Sequence, residues 1–289
     1  MKKVVGLGAC VLDTLINCNS YPTEDTKQKA ESVFVSGGGP VGNALVVMSK
    51  LGVNAQVIGC FGSDNAGKYL IEDFNRYNVD TSNVTIIDGA TSFTSYIVLA
   101  EDKATRTCVF DRGTVPDNPE KVKLNGIDGA SVLHLDGNYL ECAIQASKYA
   151  KSKGVKVSLD AGGLYNGIER LLPYVDILIP SKEFALKITG KNDVKESMIE
   201  LNQKYSPEIL VVTDGSNGGY YFEEGNINHY DSVKVKAVDT NGAGDTFHGA
   251  FITAYCQGKT VKDACEFASK VAGYKCANKG LRGLSFENV

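Results

Sequence analysis

The sequence predicts an α/β protein: one large, mainly parallel sheet covered by helices, with a small β appendage. From residue 132 onward, short apolar runs alternate with stretches of helical period, the rhythm of a parallel sheet with crossover helices. The runs at 4–12, 55–60, 132–135, 155–159, 177–179 and 209–212 are short and apolar, as strands buried on both faces are. Residues 14–36 and 91–112 instead alternate polar and apolar positions, which suits strands with one covered and one open face.

The elements follow in order. Residues 4–12 form the first strand, ending near Asp13, and 15–18 and 32–35 are strands of the appendage joined by a polar loop through Tyr21 and Pro22. Gly37, Gly38 and Gly39 break the chain, and Pro40 opens a helix to about residue 51. A strand at 55–60 leads to a helix capped by Ser63 or Asp64 and running to about 77. Strands at 85–87, 93–100 and 105–110 include a turn at 101–103. Helices are expected at 140–153, 168–172, 181–188 and 194–205, a hairpin at 219–222 and 227–230, and two closing helices at 243–257 and 261–277.

Composition narrows the function. The 289 residues are 43% hydrophobic and 22% charged with a net charge of −4, an ordinary globular balance with scattered basic residues, so a nucleic-acid surface is not expected. No apolar run is long enough for a membrane helix, and the eight cysteines show neither CxxC nor zinc-finger spacing, which reads as a reduced, cytoplasmic protein. The start, MKKVVGLGAC, imitates a short lipoprotein signal, but a first strand accounts for it better.

The most informative stretch is AVDTNGAGDTFHG at 237–249. It reads as an approach strand, a glycine turn and a helix start, which places backbone N–H groups of Gly242, Ala243 and Gly244 where an anion binds. Asp245 then stands as a carboxylate beside that anion hole, the pairing that phosphoryl transfer to a hydroxyl requires, while Asp and Asn near glycines read equally as ordinary turn and cap chemistry. Two other matches fail. GSDNAGK at 62–68 fits a P-loop except that Tyr69 replaces the Ser or Thr needed for magnesium, and Gly6 and Gly8 lack the third glycine of a dinucleotide turn.

GGGPVGN at 37–43 and DTNGAGD at 239–245, about 200 residues apart, with CFGSDNAG between them, resemble the motifs of the ribokinase/phosphofructokinase-B-type sugar kinases over essentially the whole chain. The resemblance implies a single ribokinase-like domain over 1–289, a three-layer α/β/α sandwich with a β-sheet lid at about 14–36 and 91–112. It implies Asp245 as general base, Gly242, Ala243 and Gly244 as anion hole, and Asp13, Gly38, Gly39, Asn43 and Asp136 as sugar contacts. Asp136 reads equally well as a strand-end turn residue. Thr213, Gly215 and Ser216 resemble the nucleotide loop, with Ser269 and Ala272 of the last helix flanking adenine, positions that read equally as plain helix packing.

ATP and Mg²⁺ are the implied cofactors, with K⁺ at Asp239, Asn241 and Gly280. The family's Asn-x-x-Glu segment is altered to PSKEF at 180–184, leaving Glu183 one residue early as the magnesium-organising carboxylate. Pro40 resembles fructokinases, and VAGYKCANKG and TRTCVFDRG resemble ketohexokinases, which favours a ketose acceptor. The implied reaction is transfer of the ATP γ-phosphate to a hydroxymethyl group of a small sugar, with homodimerisation through the lid. The alternatives are a nucleoside or 2-keto-3-deoxygluconate kinase of the same family, and a non-catalytic sugar- or nucleotide-sensing relative. Arg106 and Arg112 read as solvated strand residues within reach of sugar or phosphate.

Overall fold

The computed structural model describes residues 2–102, 105–287 and 289. Its strands are β1 (Lys3–Leu7), β2 (Val11–Cys18), β3 (Ser32–Gly38), β4 (Asn54–Val57), β5 (Gly59–Gly62), β6 (Val84–Ile87), β7 (Thr94–Ala100), β8 (Thr105–Asp111), β9 (Val132–Leu135), β10 (Lys156–Ala161), β11 (Ile177–Pro180), β12 (Ile209–Thr213), β13 (Gly219–Glu223) and β14 (Asn226–Tyr230). The helices are α1 (Pro40–Lys50), α2 (Asn65–Arg76), α3 (Leu140–Ser152), α4 (Lys182–Thr189), α5 (Val194–Tyr205), α6 (Ala243–Cys256) and α7 (Val261–Cys276).

The main sheet has the order β14-β13-β12-β11-β10-β9-β1-β4. Pairing is parallel from β4 to β12 and antiparallel in the closing hairpin. Successive residues of one strand feed two separate cores. Val4, Ile177, Ile179, Ile209 and Val211 pack with α1, α2, α6 and α7. Val5, Leu178, Leu210 and Val212 pack with α3, α4 and α5 on the other side. Period-two burial on both faces of every central strand produces the three-layer α/β/α sandwich.

β1 pairs with both β4 and β9, so the direction of winding reverses there, and clefts in such sheets open beyond the carboxyl ends of strands at that reversal. Asp136, just after β9, stitches the point together: its carboxylate accepts N–H bonds from Ala9 at 2.8 Å, Val41 at 3.4 Å and Asn138 at 2.9 Å.

The second sheet has the order β3-β2-β7-β8. Register separates its faces. Asp13 lies opposite Ser36 and Ser95, and Ser95 opposite Phe110, on the face toward the sandwich. Thr14 lies opposite Val35 and Tyr96, and Tyr96 opposite Val109, on the outward face.

The structure revises three expected elements. Residues 4–12 are not one strand: the chain leaves the main sheet after Leu7 and re-enters at Val11 in the small sheet, so Asp13 sits inside β2. Residues 55–60 likewise split at Ile58 into β4 and β5, and β5 pairs with β6 in a separate two-stranded sheet. The expected helix at 168–172 is two single 3₁₀ turns, Ile168–Arg170 and Leu172–Tyr174, because Pro173 cannot donate to a longer helix. Lys103 of the expected turn at 101–103 lies outside the described residues. The GSDNAGK stretch is a cap: Asp64 Oδ1 accepts from Gly67 N–H at 3.0 Å and starts α2. All eight cysteines are thiols, and among the described residues no helix is long and apolar enough to cross a membrane.

Candidate active site

Gly242, at φ 76°, ends the approach segment in a conformation that favours glycine and opens α6 with Ala243 at its first position. Asp245 therefore falls in the first helical turn, where the Ala243 N–H donates to the Thr240 carbonyl at 3.2 Å. Helix α6 reaches α1 closely because Gly249 has no side chain; a Cβ there would lie 2.7 Å from the carbonyl oxygen of Ala44. That contact brings Asn43 of α1 to Asp245, with Asn43 Nδ2 donating to Asp245 Oδ2 at 2.6 Å. The chain of partners continues inward. Arg282 Nη1 donates to Asn43 Oδ1 at 2.8 Å, and Arg282 Nε donates to Asp73 Oδ2 at 2.8 Å.

Burial pushes the Asp245 carboxyl above its ordinary value, and the negative charge of nearby Asp160 adds to the rise. The Asn43 hydrogen bond and His248 oppose it. Asp160 is itself held low, against its burial, by His248, whose Nε2 lies 3.2 Å from Asp160 Oδ1. A half-buried carboxylate with a raised pKa in a cleft is suited to accept a proton.

Two clefts flank the turn. The first, of about 350 Å³, is lined by Asp13, Gly39, Asn43, Phe93, Ile97 and Phe110, together with Arg106 and Asp245. Asp13 Oδ1 accepts from Ser95 Oγ at 2.5 Å, and burial raises the Asp13 carboxyl to about 6. Gly38 backs this residue, since a Cβ there would lie 1.9 Å from Asp13 Oδ2. Arg106 reaches from β8 to donate to Asn241 Oδ1 at 2.7 Å, tying the small sheet to the glycine turn.

The second cleft, of about 330 Å³, has predominantly apolar walls and contains Thr213, Gly215, Ser216, Ser269 and Ala272 together. Ser269 Oγ donates to the Asp231 carbonyl at 3.1 Å and accepts from Val233 N–H at 3.2 Å, fixing one wall against α7. Thr240, Ala243 and Gly244 line both clefts, so the anion turn is their shared wall. A Cβ on Gly244 would meet nothing within 4 Å, which leaves its backbone open to a ligand.

Not every expected residue gathers here. Asp136 lines neither cleft; its carboxyl, raised by burial to about 6, is turned to backbone amides, which matches its reading as a strand-end turn residue. Glu183 points to solvent and pairs with Lys187 at 2.6 Å one helical turn on. Ser181 explains this: its Oγ caps α4 by accepting from Phe184 N–H at 3.1 Å, and that register turns Lys182 to Asp214 at 2.9 Å. Among the described residues no three His, Cys, Asp or Glu side chains gather as a metal site. Arg112 meets Asn138 and stacks on Phe93 at 5.7 Å from the ring centroid.

Arg282, Asp73, Ser95, Lys182 and Lys275 carry no role in the sequence reading. Their partners are distant in sequence.

Comparison with known proteins places these features. The model of the pfkB family carbohydrate kinases matches residues 1–287. The chain is 26% identical to mouse (Mus musculus) ketohexokinase, covering 98% of this chain and 99% of that protein. It is 25% identical to Staphylococcus aureus ribokinase, covering 97% and 95%. Among solved structures, a candidate ribokinase from Agrobacterium tumefaciens superposes with a TM-score of 0.88 at 27% identity, over 98% of this chain and 94% of that one. The Arabidopsis thaliana ribokinase complexed with ribose and ATP shares the fold at a TM-score of 0.85 and 24% identity, over 97% and 94%. The chain belongs to the pfkB family of carbohydrate kinases, phosphotransferases that act on an alcohol group.

Proposed function

We propose that the protein transfers the γ-phosphate of Mg–ATP to a hydroxymethyl group of a small sugar, a ketose such as fructose or a ribose-like pentose. The observation that carries this is the shared wall: one glycine turn, Thr240 to Gly244, separates an apolar cleft from a mixed one that carries Asp13, Asn43 and Arg106, with Asp245 lining the second. ATP fits the apolar cleft, its adenine near Ser269 and Ala272 and its phosphates toward Gly215, Ser216 and the turn. The sugar fits the other, with Asp13, Gly39 and Asn43 as partners for its hydroxyls.

Asp245 takes the hydroxyl proton as the sugar oxygen forms its bond to the γ-phosphorus and the bond to the β-phosphate oxygen breaks, releasing ADP. The N–H groups at the start of α6 stabilise charge on the moving phosphoryl group, the electrostatic role that carries most of such chemistry. Arg106 and the inward face of the small sheet close over the sugar as a lid and limit transfer to water. On the outward face Val33, Val35, Tyr96 and Val109 are 58%, 45%, 52% and 66% exposed, which supports a homodimer through this sheet.

The aromatic wall of Phe93 and Phe110 favours a second reading, a nucleoside acceptor whose base stacks there. Turnover with Mg–ATP across ketoses, pentoses, ketogluconates and nucleosides separates the two. Phosphorylation of a ketose or pentose at about 1–100 s⁻¹ is expected. Calorimetric sugar binding with no ADP release from any acceptor would overturn the kinase reading in favour of a sensor.

A further inference from the structure

Among the described residues Lys275 is the only lysine that is fully buried, with 0% exposure. It lies in the last turn of α7. Its Nζ is 2.8 Å from the Asp239 carbonyl oxygen and 2.8 Å from Asp239 Oδ2. Asp239 is otherwise surrounded by donors: Asn241 N–H reaches Oδ1 at 2.9 Å and Gly280 N–H reaches Oδ2 at 2.9 Å. The Cys276 carbonyl, next along the helix, accepts from Val238 N–H at 2.7 Å and Asp239 N–H at 3.1 Å.

An ammonium removed from water is costly unless paired and hydrogen-bonded, and this one is spent on a single place. That place joins two walls of the nucleotide cleft: Ala237, Thr240, Ala243 and Gly244 on the turn side, Gly273 and Cys276 on the α7 side. The family resemblance implies a potassium ion on Asp239, Asn241 and Gly280. These residues do not fit one. Asn241 and Gly280 present N–H groups to the cluster, and the Asp239 oxygens a cation would take already face those groups and an ammonium.

We propose that the Lys275 ammonium is a built-in monovalent cation, holding the loop before the anion turn in its nucleotide-binding form so that neither K⁺ nor Na⁺ is needed. A tethered charge at the helix C-terminus also suits the dipole there.

The test compares the wild type in KCl, NaCl and tetramethylammonium chloride at equal ionic strength, the last cation being too large for the loop. Turnover within about twofold, nucleotide affinity within about twofold and melting temperature within about 1 °C are expected across the three, since a cation that does not bind the native state cannot stabilise it. Activation of about tenfold by K⁺, or a K⁺-specific rise of several degrees in melting temperature, would overturn the proposal. Lys275→Met is expected to weaken nucleotide binding in tetramethylammonium by about tenfold or more and to regain it with K⁺. Full affinity in Lys275→Met without K⁺ would also overturn it. The wild-type arms decide the matter if the variant does not fold. Only the turnover arm rests on the kinase reading; melting and ADP binding are read without any sugar and stand if that reading fails.

Discussion

Replacing Arg282 by Met cuts the line of side chains that runs from Asp73 through Asn43 to Asp245. Arg282 is 9% exposed and Asp73 is 3% exposed, so the substitution leaves a carboxylate buried without its cation. Removing one partner of a buried pair costs about 3–5 kcal/mol, whereas removing both is often nearly neutral. Asn43 also loses its donor, a further cost of about 1 kcal/mol. At about 2–4 °C per kcal/mol for a domain of this size, melting should fall on the order of 10 °C in Arg282→Met. Urea and thermal unfolding of Arg282→Met, Asp73→Leu and the double variant measure the coupling directly. The double variant should lie well above the sum of the singles, by at least about 1 kcal/mol. The Asn43 amide, no longer held, should lower kcat more than it raises KM. A loss below about 1 kcal/mol in Arg282→Met, or strict additivity, would refute the reasoning.

Further outcomes follow from the same geometry. The Asp245 carboxyl is raised by burial above its ordinary value of 3.8, so kcat/KM should decline as pH falls through a midpoint above that value; a pH-rate profile flat down to ordinary carboxylate values would contradict this. Asp13, raised to about 6, binds its proton more tightly in the folded than in the unfolded chain. Its contribution to stability is therefore present below about 4 and lost as pH rises to about 6, so Asp13→Asn should gain melting temperature relative to wild type across that window. Gly38→Ala would place a Cβ 1.9 Å from Asp13 Oδ2, and sugar KM should rise with little change in the KM for ATP. Glu183→Gln should leave the magnesium dependence unchanged, because the carboxylate pairs with Lys187 in solvent; a raised magnesium requirement would show that Glu183 turns inward when nucleotide binds.

The local parts of the site were legible in the sequence because glycine turns and helix starts are written in adjacent residues. Gly242 to Asp245 and Gly39 to Asn43 each occupy a turn and a first helical turn as their composition implies. The five residues assigned to the nucleotide were placed by resemblance, and the fold brings all five to one cavity. What was not legible depends on contacts across the chain. Asp73 and Arg282 stand 209 residues apart and carry no local mark. Lys275 reads as an ordinary basic residue at a helix end until the fold buries it. The passage between the sheets at Gly8 to Cys10 lacks a polar break, so residues 4–12 read as one strand. At PSKEF the outcome turned on one residue of helical register, which Ser181 sets by capping.

The most direct measurement is Mg–ATP-dependent phosphorylation of the best acceptor by wild type and Asp245→Asn, with ADP binding followed in parallel. The amide keeps the size of the side chain and can still accept from Asn43, so the fold and nucleotide affinity should be retained. A positioned base contributes about 10²–10⁴ in rate, and turnover should fall by that amount with ADP affinity within about twofold of wild type. Near-wild-type turnover by Asp245→Asn would contradict the assignment of Asp245 as the base.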